Sequence, residues 1–208
     1  QQKSGPRKQL SFPYNRVKAA ARLLGIPIFH GYAVLQTACK PSTSALEPAM
    51  TTIHPSKERR SLGRSDIQVS PIAWGMWRFS SDELSEAQER VEAALDAGIT
   101  LFDTADIYGA DTPAGFGSAE ARLGRVLKAA PHLRPEMVIA TKGGIRPGIP
   151  YSSDADYLNE AVDGSLARLG IEQIDLYQIH RRDFLTHPQE VAHSLNAMVD
   201  AGKIRAIG

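Results

Sequence analysis

The chain has 208 residues, of which 42% are hydrophobic, so it can bury the core of one globular domain and is unlike a disordered or collagen-type sequence. Its net charge of +1 is unevenly spread, because residues 1–49 hold seven basic residues and one acid, whereas residues 50–208 hold 17 basic and 22 acidic residues. The acidic balance of the longer part argues against nucleic acid as a partner.

Residues 1–49 form a basic leader that we expect to be disordered or absent from the mature protein, because a coherent pattern begins only after Met50, the first methionine. The shortage of acids is typical of an organellar transit peptide, and sequence upstream of the true start is a second reading. A lipoprotein signal ending at Cys39 is disfavoured by its polar neighbours. Cys39 is the only cysteine, so residues 50–208 contain neither a disulfide nor a thiolate metal site.

No apolar run reaches the roughly 18 residues that span a bilayer, since the best candidate, residues 23–35, is interrupted by proline and glycine. We therefore expect a folded domain over residues 50–208, with no membrane partner. A cytoplasmic location is predicted, and organellar import through the leader is the alternative.

Beyond Arg60, short apolar runs alternate with longer amphipathic segments, which is the pattern of βα units around a parallel sheet. The predicted strands are Ile72–Trp77, Ile99–Thr104, Met137–Lys142, Ile174–His180 and Ile204–Gly208. The predicted helices are residues 82–97 with Ser80 and Glu83 as a capping box, a segment from about Ser118, a segment from Ser153 or Asp154 to Gly170, and a segment from Pro188 to Gly202. Residues 61–69 predict a hairpin over the bottom of the sheet.

The spacing of the strands favours a closed barrel over an open doubly wound sheet. The open sheet usually has a glycine-rich turn after its first strand, but here that strand leads into Gly-Met-Trp-Arg-Phe at residues 75–79. We predict a parallel (β/α)8 TIM barrel. A complete one takes about 250 residues, so we expect five of its eight βα units in this chain, which would then end within the fifth strand.

In such barrels the reacting groups lie where the strands end at their carboxyl side. This rule selects Asp103 after the second strand, Tyr108 in the following loop, Lys142 at the end of the third strand and His180 at the end of the fourth. Each residue alone has a purely structural explanation, such as a turn cap or a solvated loop. Their joint position predicts one cluster in one cavity.

The four side chains suit the reduction of a carbonyl group. Hydride addition to the carbon leaves negative charge on the oxygen, which needs a proton donor. A phenol has a pKa near 10, and an ammonium group beside it lowers that value. We therefore assign the proton donor to Tyr108, the ammonium to Lys142, its counter-ion to Asp103 and a substrate hydrogen bond to His180. None of these groups can donate hydride, so the mechanism requires a nicotinamide cofactor.

Three segments resemble the aldo-keto reductase family: Leu-Phe-Asp-Thr-Ala-Asp-Ile-Tyr-Gly at 101–109, Ala-Thr-Lys-Gly-Gly at 140–144 and Asp-Leu-Tyr-Gln-Ile-His-Arg at 175–181. The resemblance runs from about Ser61 to Gly208. It implies the catalytic set Asp103, Tyr108, Lys142 and His180. It also implies NADPH as cofactor, with NADH as a second possibility, and a small-molecule aldehyde or ketone as substrate.

The loop after the first strand carries further sites that the resemblance implies. Gly75, Met76 and Trp77, together with Asp103, match positions beside the cofactor, and Trp77, Tyr108 and His180 match positions beside the substrate. Trp77 has ordinary core packing as its alternative. No metal is expected, and the oligomeric state is not predicted.

Two rival functions stay open. Some members of the resembling family are non-catalytic regulatory subunits of ion channels, so a regulatory or binding subunit, or an inactive fragment, is one alternative. A barrel lyase that uses Lys142 as a Schiff-base nucleophile is the other.

Overall fold

The structure is a computed structural model that describes residues 57–80, 83–149 and 151–208. The predicted leader, residues 1–49, and Met50 lie outside these residues. The described strands are β1 (Arg60–Ser61), β2 (Gln68–Val69), β3 (Ala73–Gly75), β4 (Leu101–Asp103), β5 (Val138–Gly143), β6 (Ile174–Ile179) and β7 (Ile204–Ile207). The described helices are α1 (Leu84–Asp96), α2 (Ser118–Ala129), α3 (Ala155–Leu169) and α4 (Pro188–Asp200), with a 3-10 helix at Pro131–Glu136.

Strands β3 to β7 form one parallel sheet in chain order, β3-β4-β5-β6-β7. Each of the four intervals between neighbouring strands contains one α-helix, so the five predicted strands and four predicted helices are confirmed as consecutive βα units. Parallel pairing of neighbours brings all carboxyl ends to the same edge of the sheet. This is the arrangement that the predicted α/β barrel fold requires of these units.

Local signals account for several helix boundaries. Asp154 caps α3, its carboxylate accepting a hydrogen bond from the backbone N–H of Tyr157 at 2.8 Å. Gly170 ends the same helix in the left-handed conformation with φ of 66°, and Pro188 is the first residue of α4. The predicted capping box before α1 is wrong: Glu83 itself precedes the helix and its side chain makes no capping hydrogen bond.

The buried core lies between the sheet and one face of the helices. The fully buried side chains include Phe102, Ile139, Ile174 and Ile204 from the strands and Val91, Leu123, Leu158 and Val162 from the helices. The strand residues in this core pack against the helices, and the predicted site residues lie beyond them at the carboxyl ends of the strands. None of the described helices is both long and apolar enough to cross a membrane.

The predicted hairpin is confirmed as the antiparallel pair β1 and β2. It is attached at the amino-terminal ends of the sheet strands. Ser70 and Thr100 exchange two hydrogen bonds, from each backbone N–H to the other residue's hydroxyl, at 3.0 and 2.9 Å. An ion pair of 2.8 Å joins Asp66 to Arg205 at the start of β7. The hairpin therefore lies at the edge opposite to the predicted site.

Candidate active site

Three neighbouring strands carry the four predicted residues. Asp103 is the last residue of β4, Lys142 the next-to-last of β5, and His180 follows β6 directly. Backbone hydrogen bonds continue beyond the paired registers, from His180 N–H to the Gly143 carbonyl at 2.7 Å and from Asp106 N–H to the Lys142 carbonyl at 3.0 Å. Tyr108 comes back over the strand ends through a short turn. The sheet thereby brings all four residues to one edge.

The amine of Lys142 has three acceptors. Its Nζ lies 2.8 Å from Oδ1 of Asp103, 2.7 Å from the carbonyl oxygen of Thr104 and 3.3 Å from the hydroxyl of Tyr108. An ammonium group has three N–H donors, so these partners use all of them. The lysine side chain is 13% exposed, which makes the Asp103 carboxylate important for holding the charge there.

The rings of Tyr108 and His180 meet edge to face, with centroids 5.7 Å apart and an angle of 80°. Burial lowers the pKa of His180, and the positive charges of Lys142 and Arg181 lower it further, whereas Asp103 opposes the shift. The imidazole is therefore neutral near pH 7, with one nitrogen able to donate a hydrogen bond. Its Nδ1 is buried and has no hydrogen-bond partner among the described residues.

The loop after β3 carries one exposed residue, Trp77, and one buried residue, Met76, of the predicted cofactor set. Trp77 is 57% exposed, with the Arg78 guanidinium 5.6 Å from its ring, so it is not packed in the core; that place belongs to Trp74. Gly75 has open space where a Cβ would be. Met76 is fully buried, and its backbone N–H donates to the Asp103 carbonyl at 2.9 Å. The cofactor and substrate roles of these residues stay predictions.

A second polar cluster lies behind this edge, between the sheet and the helices, and the sequence reasoning missed it. Glu120 of α2 is fully buried; its carboxylate accepts from Thr141 at 2.5 Å and pairs with Arg168 of α3 at 2.7 Å. Asp106, from the turn between Asp103 and Tyr108, is 1% exposed. A signal for Glu120 existed, because it precedes the buried Leu123 by three residues on one helix face.

The described residues contain no group of three or more histidine, cysteine, aspartate or glutamate side chains arranged to hold a metal ion. The carboxyl edge brings together an ammonium, a phenol, a carboxylate and a neutral imidazole. Such a set can donate a proton to an oxygen atom and hydrogen-bond that oxygen.

Comparisons with known proteins show what this chain is similar to. The profile of the Aldo/keto reductase family matches residues 71–208. A 6-dehydroglucose reductase of Novosphingobium aromaticivorans is 59% identical over 151 residues, which cover 72% of this chain and 50% of that protein. A 6-dehydroglucose reductase of Agrobacterium fabrum is 40% identical over 154 residues, which cover 68% of this chain and 50% of that protein.

Among solved structures, an aldo-keto reductase of Bacillus halodurans in its holo form superimposes with a TM-score of 0.62 at 30% identity. The match covers 73% of this chain and 50% of that one. The chain spans about half the length of the curated relatives that it matches.

Proposed function

Because the chain belongs to the aldo/keto reductase family, we propose that it carries the proton-transfer groups of an oxidoreductase that reduces an aldehyde or ketone with NADPH. The observation that supports this most is the amine of Lys142, which is shared between the Asp103 carboxylate and the Tyr108 hydroxyl. In this arrangement the amine can stabilise the phenolate that forms when the phenol gives up its proton.

Tyr108 is the proton donor in this proposal. Its hydroxyl oxygen accepts a hydrogen bond from the Lys142 ammonium at 3.3 Å, which leaves its own O–H free to point towards a carbonyl oxygen. As hydride reaches the carbonyl carbon, that oxygen takes the phenol proton, and an alcohol and a phenolate result. The adjacent ammonium stabilises the phenolate until a proton from solvent restores it. General acid catalysis of this kind is worth about 10² to 10⁴ in rate.

His180 orients the substrate. A neutral imidazole whose ring meets Tyr108 edge to face can donate a hydrogen bond to the same oxygen that receives the proton. The donated bond strengthens as negative charge grows on the oxygen, so it favours the transition state over the bound substrate.

In this proposal a nicotinamide cofactor binds at the carboxyl edge. The open space at Gly75 and the exposed ring of Trp77 suit a flat, polar ring at this edge. When bound, the cofactor supplies the hydride. Gly75, Trp77, Asp103 and the backbone of Met76 are the groups of this chain that we assign to it, with NADPH preferred and NADH as the second possibility.

A small-molecule carbonyl compound is the proposed substrate, and the names of two relatives point to the carbonyl form of a sugar. A cytoplasmic location goes with this proposal. The lyase alternative is disfavoured, because a Schiff-base amine must be uncharged and free to attack, whereas the Lys142 amine has acceptors for all three of its N–H bonds.

The test is carbonyl-dependent oxidation of NADPH by the intact protein, compared with Tyr108→Phe. The variant keeps the ring that meets His180 and removes only the hydroxyl, so we expect kcat to fall by about 10² to 10⁴ with an unchanged fold. A fully active Tyr108→Phe protein would refute the assigned acid. An inactive wild-type protein that binds NADPH would instead favour the non-catalytic regulatory alternative.

A further inference from the structure

The carboxyl group of Asp106 is a buried titratable group that the proposed reaction does not use. It is 1% exposed, and no hydrogen bond of ordinary geometry reaches its oxygens within the described residues, although the Tyr157 hydroxyl is close enough to influence its pKa. The hydroxyl of Tyr177 is in the same situation. The two groups face one point: a Cβ on Gly143 would overlap the Tyr177 hydroxyl and lie 3.3 Å from Oδ2 of Asp106. Gly143 directly follows Lys142.

Among the described residues around Asp106, no cation forms an ion pair with its carboxyl group. Glu120 faces it from α2, Tyr157 and Arg168 from α3, and Tyr177 from β6. On β5, the hydroxyl of Thr141 is bound to Glu120. The Nε of Arg168 is also bound to Glu120, at 2.7 Å, so this neighbouring cation, in the part of the chain that the structure describes, is already paired with the other buried carboxylate.

A neutral carboxyl group is the form that this environment favours. A protonated carboxyl has one O–H donor and a carbonyl acceptor, which are the complements of the tyrosine hydroxyls beside it. Burial raises the pKa of Asp106 to about 7, and Glu120 raises it too, against the opposing effects of Arg168, the Ile107 N–H and the Tyr157 hydroxyl. Ionisation would place a second negative charge beside Glu120 in a buried layer.

Asp106 also lies at the centre of the turn that carries the proposed acid. Its backbone N–H donates to the Lys142 carbonyl at 3.0 Å, and the Tyr108 N–H donates to the Ala105 carbonyl at 3.1 Å. The turn is thus tied to β5 on one side by the Asp106 backbone. Its side chain enters the layer between sheet and helices on the other side.

We propose that Asp106 is a positioning residue, whose buried carboxyl group lies against Tyr157 of α3 and Tyr177 of β6, fixes the turn 104–108 there and so holds the Tyr108 hydroxyl at the Lys142 amine. This inference rests on the proposed function for its catalytic consequence, since Tyr108 must be the proton donor for its position to affect the rate. The carboxyl proton itself takes no part in the reaction.

The experiment compares the intact wild-type protein with Asp106→Asn, Asp106→Leu and Tyr177→Phe. Asparagine keeps a donor and an acceptor and cannot ionise, so Asp106→Asn should keep kcat within about threefold at pH 6. We expect wild-type kcat to fall as the pH rises through about 7, and Asp106→Asn should lack this fall. Asp106→Leu should lose about tenfold or more in kcat with little change in KM. The exposed Asp111→Asn is the matched control and should behave as wild type.

Two readouts do not need activity. The infrared difference between wild type and Asp106→Asn should contain a protonated carboxyl band that disappears as the pH rises through about 7. The nuclear Overhauser contact between the rings of Tyr108 and His180, whose centroids are 5.7 Å apart, should weaken in Asp106→Leu. Should Asp106→Leu not fold, Tyr177→Phe replaces it, with the same weakening expected. If wild type is inactive, the proposed function fails, and these two readouts still decide the position of the turn.

Several results would overturn the proposal. One is a carboxyl group already ionised at pH 5 in the infrared difference. Another is an Asp106→Asn protein that keeps the wild-type fall in kcat with pH, and a third is a ring contact that is unchanged in Asp106→Leu, or in Tyr177→Phe where the leucine variant does not fold.

Discussion

Lys142 and Tyr108 are joined by a hydrogen bond of 3.3 Å, although 34 positions separate them in the chain. The bond depends on the parallel pairing of β4 with β5, which sets Asp103 opposite Ala140 and leaves the lysine two residues further along. The proposed chemistry is therefore a consequence of strand register. A variant that changes charge at this edge should affect rate, and one that changes packing behind it should affect stability.

Asp103→Asn should reduce kcat about tenfold or more, which corresponds to about 1.4 kcal/mol of barrier. The substitution removes the charge that lies 2.8 Å from the Lys142 amine and keeps the side-chain shape. Steady-state assays with NADPH and an aldehyde measure the effect. Asp111→Asn, at an exposed position in the following loop, is the control. Equal activity of the two variants would contradict the role of the Asp103 carboxylate.

Arg181→Gln should raise the pKa of His180 towards its ordinary value of 6.5, because the Arg181 charge is one of the causes that lower it. The neutral imidazole is the proposed active form, so activity is lost as the pH falls through the pKa of His180. The acid limb of kcat/KM should therefore move to higher pH in the variant. NMR titration of His180 gives the same shift directly. Arg125→Gln, exposed on α2, should leave both measurements unchanged.

Glu120→Gln should cost about 3 to 5 kcal/mol of unfolding free energy, since it leaves Arg168 without the carboxylate at 2.7 Å in a buried layer. Denaturant unfolding measures the loss. Asp163→Asn breaks the exposed pair with Lys203 and should cost about 1 kcal/mol or less. A loss of that small size in Glu120→Gln would show that the buried pair is not structurally required.

Gly143→Ala should destabilise the protein by about 1 to 3 kcal/mol, because the added methyl group overlaps the hydroxyl of Tyr177 and lies 3.3 Å from the Cβ of Ala161. Gly75→Ala is the matched control. A Cβ at Gly75 meets nothing within 4 Å, so its unfolding free energy should stay within about 1 kcal/mol of wild type. Similar thermal midpoints for the two variants would count against a closely packed layer behind Lys142.

The pH dependence of stability should also reflect Asp106. Its pKa is raised to about 7 in the folded protein from 3.8, so the folded state binds the proton more tightly. Its contribution to stability is fully present below about pH 4 and is lost as the pH rises through about 7, at roughly 1.4 kcal/mol per pH unit between these limits. The difference in unfolding free energy between wild type and Asp106→Asn, measured from pH 4 to 8, should follow this slope. A constant difference would contradict it.

Signals that are local in the chain predicted the elements and the position of the four site residues. Asp154 and Pro188 mark helix starts by their own chemistry, and β4, β5 and β6 each carry a polar residue of the proposed site where the apolar run stops. The start of α1 was predicted less well. Glu83 lies one residue before the helix, so the spacing that suggested a capping box does not have its structural meaning there.

The buried cluster of Asp106, Glu120 and Arg168 could not be predicted in the same way. Its three members come from a turn and two helices. The pairing of Glu120 with Arg168 joins residues that are 48 positions apart. A charged residue on a helix is usually solvated, and Glu120 is buried only because of the tertiary packing around it. Trp77 shows the reverse case, since an aromatic residue next to a strand is exposed, and Trp74 takes the core position.

The exchange of hydrogen bonds between Ser70 and Thr100 has a mechanical implication for the opposite edge of the sheet. Thr100 and Asp103 are the two ends of one short extended segment, about 10 Å long, so the hairpin is connected directly to the carboxylate that pairs with Lys142. Loosening the hairpin would let the segment from Thr100 to Asp103 tilt. The Asp103 carboxylate would then move relative to the Lys142 amine before the domain unfolds.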